Sequence, residues 1–116
     1  MHRSNEEVFA EFLEGWRDGD WSKVRSAMQL TGNYYGYNEQ KLREMLGSVR
    51  PVEWEIVSVT PVSVVMVDIS ARVMFGRIYK RMTARLVRES APFVSSEDGS
   101  WGVAPLSVLT LRDDDV

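Results

Sequence analysis

Pro61-Val62-Ser63-Val64-Val65-Met66-Val67-Asp68-Ile69-Ser70-Ala71-Arg72-Val73-Met74-Phe75-Gly76 is the stretch whose reading decides the fold. From Val65 onward every second residue is apolar: Val65, Val67, Ile69, Ala71, Val73 and Phe75. That period of two belongs to a strand with one buried face. Gly76 marks a tight turn, and the run from Arg77 to Arg88 places Ile78, Met82, Ala84 and Leu86 on the same inward side. The reading is a long antiparallel pair, Val62 to Phe75 and Arg77 to Arg88. The opposite face carries Met66, Asp68, Ser70, Arg72 and Met74 from one strand. Tyr79, Arg81, Thr83, Arg85 and Val87 come from the other. Lys80 interrupts the inward pattern. It calls for a bulge that shifts the register, a snorkelling side chain, or a pocket for it to face.

Upstream of this pair the period changes to that of a helix. Ser4-Asn5-Glu6-Glu7 forms a capping box, and Val8, Phe9, Phe12, Leu13 and Trp16 then share one stripe. Gly19 suits a left-handed terminator, and Asp20 caps a second short helix with Trp21, Val24 and Met28 inward. Asp18-Gly19-Asp20 therefore reads as a helix corner; two aspartates do not cage a divalent ion. Thr31 to Tyr37 reads as a turn-rich aromatic loop. Its tyrosines Tyr34, Tyr35 and Tyr37 either seal the end of the core or line a pocket mouth. Asn38 caps a third helix, Glu39 to Leu46. Pro51 opens the sheet, and the weak alternation of Val52 to Thr60 leaves its inward face open. Downstream, Ser95 to Ser100 reads as a hairpin loop with Asp-Gly turn chemistry. Trp101 starts a last strand that Pro105 interrupts and Leu106 to Leu111 resumes. Asp113-Asp114-Asp115 reads as a solvated acidic tail.

The 116 residues make one domain, 1–116, the default for this length. The chain has no cysteine, so disulfides and thiolate metal sites are excluded. A net charge of -3 argues against nucleic acid as the main partner. No apolar run approaches membrane-spanning length, so no membrane partner is expected, and a cytoplasmic location is the expectation. The only histidine, His2, sits next to the terminus and offers no histidine mechanism or metal site. No cofactor is expected. The expected architecture is α+β, with N-terminal helices packed on a curved four-stranded antiparallel sheet. The outward face holds Met66, Arg72, Met74, Tyr79, Arg81 and Arg85. That mixture suits either a homodimer interface or an open face covered by arginine stems.

Two stretches carry a resemblance. Glu7 to Trp21 looks like a helix–Gly-Asp–helix opening. Glu97-Asp98-Gly99-Ser100-Trp101-Gly102-Val103 looks like an acidic-Gly-x-Trp-x-Val hairpin. With the order of elements they resemble the nuclear transport factor 2-like superfamily, the cone-shaped, cystatin-like fold of SnoaL-like proteins and ketosteroid isomerases. The resemblance implies a pocket between sheet and helices, and frequent homodimers. Pocket-lining candidates are Trp16, Tyr34, Tyr35, Tyr37, Lys80 and Trp101. Isomerase members use a carboxylate base beside an oxyanion hole built from a tyrosine and a protonated aspartic acid. The first helix here lacks the tyrosine, and Asp68 points away from the helix side. No catalytic set is assigned, with Asp68 and Tyr34 as the weak alternative. The leading expectation is a non-enzymatic domain that binds a small hydrophobic ligand or serves as a dimeric interaction module. The alternative is a small isomerase, dehydratase or hydrolase acting on a hydrophobic substrate.

Overall fold

Ser4 closes its capping box as expected. Its hydroxyl accepts the Glu7 N–H at 3.2 Å, and the Glu7 carboxylate accepts the Ser4 N–H at 3.3 Å. The computed structural model describes residues 3–113; His2, Asp114 and Asp115 lie outside the described residues. Helix α1, Asn5–Asp18, ends at Gly19, whose φ of 70° is left-handed. Asp20 then caps α2, Trp21–Ser26, by accepting the Lys23 N–H at 3.1 Å. The Asp18-Gly19-Asp20 corner is thus a pair of helix ends. Among the described residues no cluster of three or more potential metal ligands occurs. Asn38 likewise caps α4, Glu39–Leu46, through the Lys41 N–H at 2.9 Å.

One helix was not expected. Leu30–Tyr34 forms a single helical turn, α3, where the sequence reads as loop. Its glycine and two polar residues give weak propensity, and tertiary contact with the sheet decides it.

The chain then enters a six-stranded antiparallel sheet rather than the expected four. Its long members are β1, Pro51–Ser63, β2, Met66–Phe75, and β3, Ile78–Ala91, hydrogen-bonded in that order. The turn into β2 falls at Val64-Val65, so Pro61 to Ser63 end β1 rather than begin β2. Phe75 pairs with Ile78 across Gly76 and Arg77, with Gly76 at φ 64°. The remaining strands are short: β4, Val94–Ser95, β5, Ser100–Val103, and β6, Leu111–Asp113. Each pairs with β3. The loop from Ser95 to Ser100 therefore does not close a hairpin between its flanking strands. Pro105 does more than bend the last strand: Pro105–Leu109 is a 3-10 helix that divides β5 from β6. Proline lacks the N–H a ladder needs but fits the first turn of a helix.

The inward alternation of β2 and β3 holds, with Val67, Ile69, Ala71, Val73, Met82, Ala84 and Leu86 all buried. Ile78, at the hairpin end, is exposed instead. From the helices, Val8, Phe9, Phe12, Leu13 and Trp16 complete the same core, joined by Leu42 and Leu46. Fully burying each large apolar side chain contributes about 1.5–3 kcal/mol. The open question on β1 is settled by a bulge. Trp54 pairs with Val73, Ile56 with Ala71 and Val59 with Ile69, with the register slipping between Ile56 and Ser58. Val57 is the extra residue, so Trp54, Ile56 and Val59 all pack toward the core despite their odd spacing. Between β2 and β3 the register runs without a shift, which removes the bulge reading of Lys80. Lys80 is half-buried, and its ammonium donates to Asp113 of β6. Asp113 is thereby the last residue of β6, with its side chain still exposed to solvent.

Candidate functional site

With the helices gathered over one face, the sheet's other face is the first candidate surface. Strand register arranges it in rows. Glu53, Met74 and Tyr79 form one row, and Glu55, Arg72 and Arg81 the next. Ser58, Ser70 and Thr83 make the centre, followed by Thr60, Asp68 and Arg85, then Ser63, Met66 and Val87. A small polar row is thus flanked on each side by a charged row, and beyond each of these lies a row centred on a methionine, Met74 between Glu53 and Tyr79 and Met66 between Ser63 and Val87. Asp68 accepts a two-point contact from Arg85, at 2.9 Å to Nε and 3.0 Å to Nη2. The Arg85 guanidinium holds the Asp68 carboxyl below the usual range, against the opposing effect of partial burial. Arg72 stacks on the Tyr79 ring at 4.0 Å, and the Tyr79 hydroxyl donates to Glu53 at 3.0 Å. That carboxylate acceptor raises the phenol's pKa. A shallow depression of about 250 Å³ lies between Arg72, Tyr79, Glu53 and Glu55.

The expected pocket residues separate into distinct places. Trp16 is buried, and its indole N–H is shared by the Leu46 carbonyl at 2.7 Å and the Val49 carbonyl at 2.8 Å. Its ring meets Phe75 at 5.5 Å, and its edge borders a small groove of about 190 Å³ with Val49 and Leu111. Trp101 lies under the Arg88 guanidinium, 5.6 Å from the ring centre, while Arg88 also donates to the Gly99 carbonyl at 2.9 Å. Trp16, Lys80 and Trp101 therefore have separate partners. Asp68 and Tyr34 belong to different clusters, the former on the outer sheet face and the latter in α3.

The tyrosines come together, but not as a seal. Tyr34 and Tyr35 are 70% and 64% exposed. They meet each other at 5.6 Å and meet Phe93, between β3 and β4, at 5.0 and 5.6 Å, all edge to face. Phe93 has φ 65°, a conformation that costs a bulky residue roughly 1–3 kcal/mol. Tyr37 turns back and packs against the core. A cleft of about 300 Å³ opens between Gln29, Thr31, Tyr35 and Tyr37 on one side and Pro105 and Leu106 on the other.

Beneath this aromatic group lies a residue the sequence reading missed. Glu89 on β3 is 3% exposed. Its carboxylate accepts the Thr31 N–H at 3.1 Å and the Thr31 hydroxyl. The same hydroxyl oxygen accepts the Phe93 N–H at 2.8 Å. One buried relay thus ties β3, α3 and the Phe93 turn together. The available signal was weak: Glu89 is the only acidic residue in β3, and its partner lies 58 residues away.

Comparison with family models, curated proteins and solved structures finds no match to this chain. Among the described residues no helix is long and apolar enough to cross a membrane.

Proposed function

We propose that the chain is a non-enzymatic interaction module that pairs with a second copy of itself through the outer face of β1, β2 and β3. The observation that carries this reading is the row pattern around Ser70. A two-fold axis along the Ser58–Ser70–Thr83 row would set Arg72 of one copy over Asp68 of the other. It would also set Met74 over Met66, and Tyr79 over Val87. On β2 opposite charges then meet and methionine meets methionine, while on β3 Arg81 comes opposite Arg85, whose charge is already paired with Asp68. Arginine, methionine and tyrosine are the residue types that interfaces favour. Half-buried Met66, Met74 and Val87 would lose their remaining contact with water.

The same reading takes the fold as the cone-shaped class that the two sequence stretches resemble. The β1 bulges and the packing of α1 against the sheet support it. In this chain the hollow of the cone is filled. Phe9, Phe12, Leu13 and Trp16 are each at most 2% exposed. A filled hollow disfavours an interior ligand, and with it the isomerase, dehydratase or hydrolase alternative. That alternative needs a carboxyl with a raised pKa beside a tyrosine hydroxyl, and Asp68 is shifted the other way.

The test is sedimentation at micromolar concentration, on the natural chain and on Ser70→Glu. Ser70 lies on the axis and faces its own copy, so the substitution sets like charge against like. The reading expects a dimer that Ser70→Glu dissociates while circular dichroism stays unchanged. A dimer indifferent to Ser70→Glu would place the contact elsewhere.

A further inference from the structure

We infer that the cleft between α3 and the 3-10 helix is a second site, which takes a neutral, planar, mainly apolar small molecule bearing an amide-like edge. The inference is independent of the dimer, since the cleft is built from elements outside the β1–β3 outer face. Three observations define the ligand. The volume, about 300 Å³, matches the lower end of small-molecule pockets, roughly 300–1,000 Å³. Tyr35, Tyr37, Pro105 and Leu106 supply most of the lining, an aromatic and apolar surface that suits a flat body. No charged side chain lines the cleft, in a chain that is 27% charged, so an ionised ligand would give up its hydration without a counter-charge.

The amide-like edge follows from Gln29. It lines the cleft, is half-buried, and its side-chain amide makes no hydrogen bond among the described residues. A primary amide presents a donor and an acceptor side by side. The matching partner is a lactam or similar group with the same pair in reverse. The main chain that carries this side chain is anchored, because the Gln29 backbone N–H donates to the Val103 carbonyl at 2.9 Å.

The aromatic group beside the cleft is anchored by features that cost the fold free energy. Glu89 is a buried carboxylate and Phe93 sits at positive φ, yet together with Thr31 they hold the Phe93 turn against α3. Phe93 and Tyr34 then buttress the Tyr35 ring while all three stay wet. These rings do not form a cage for a cation. Their centres are 5.0–5.6 Å apart, so they contact one another and leave no space between. Tyr35 and Leu106, 64% and 58% exposed, offer apolar surface that a flat ligand would cover.

The experiment is amide NMR titration with three probes: 2-quinolinone, naphthalene and quinoline-2-carboxylate. The expected result is saturable shifts by 2-quinolinone at Gln29, Gly32, Tyr35, Tyr37 and Leu106. Naphthalene should bind the same residues about tenfold more weakly, the value of one hydrogen-bonded pair, and the carboxylate should not bind. Gln29→Leu should abolish the preference for quinolinone over naphthalene while keeping a dispersed spectrum. The inference is overturned if quinolinone shifts none of these residues, if it binds no better than naphthalene, or if the charged probe binds best. Shifts by a proline-rich peptide at the same residues, without shifts by quinolinone, would also overturn it.

Discussion

Trp16 joins two parts of the molecule through a single atom. Its indole N–H satisfies the last carbonyl of α4 and that of Val49, while its ring fills the space between α1 and Phe75. Trp16→Phe would leave two carbonyls short of a donor and a gap beside them. The expected loss is about 2–3 kcal/mol by urea denaturation; a loss near zero would mean that water replaces the indole. Asp68 makes a different kind of claim. Its folded pKa is lowered, chiefly by the Arg85 hydrogen bonds. A lowered carboxyl pKa contributes stability that is present above the unfolded value and lost as pH falls through the folded one. Carbon-detected titration of Asp68 should therefore show a midpoint below the ordinary value of about 3.9. Arg85→Gln should raise it. A midpoint that ignores Arg85 would contradict the pairing.

At the scale of elements, two glycines of the Glu97–Val103 stretch act by admitting close approach. A Cβ on Gly99 would stand 2.3 Å from the Glu89 carbonyl carbon, and one on Gly102 would stand 2.4 Å from the Gln29 Cα. Both neighbours are backbone and cannot rotate away. Gly99→Ala should cost about 2–3 kcal/mol by forcing β3 and its loop apart. Gly36→Ala gives the comparison, since there a Cβ meets nothing and only the positive φ opposes it, at about 1 kcal/mol. Equal losses at the two sites, read by denaturation midpoints, would refute the packing role of Gly99. These elements also show what was legible beforehand. Caps at Ser4, Asp20 and Asn38 were readable because their hydrogen bonds close within three residues. The inward faces of β2 and β3 were readable because nothing shifts their register. The face of β1 was not, because bulges at Val52, Val57 and Val62 break the period of two. Glu89 was invisible because its burial depends on Thr31, far away in sequence. The clustering of Tyr34 and Tyr35 was not legible for a related reason: the turn carrying Phe93, which meets both rings, lies more than fifty residues downstream.

For the molecule as a whole, the balance of surfaces is the main result. One sheet face is covered by a core that keeps the apolar stripe of the leading helix dry. The other carries the rows of polar, charged and methionine side chains that the proposed dimer would cover. The long edge of the sheet, β1, does not compete as a contact, because its bulges and Pro61 spoil the regular ladder that strand addition needs. The deciding measurement is the mass in solution by sedimentation equilibrium at micromolar concentration. The account predicts a species of twice the 13.3 kDa chain mass, reduced to one chain by Ser70→Glu. A single 13.3 kDa species for the natural chain across that range would contradict it.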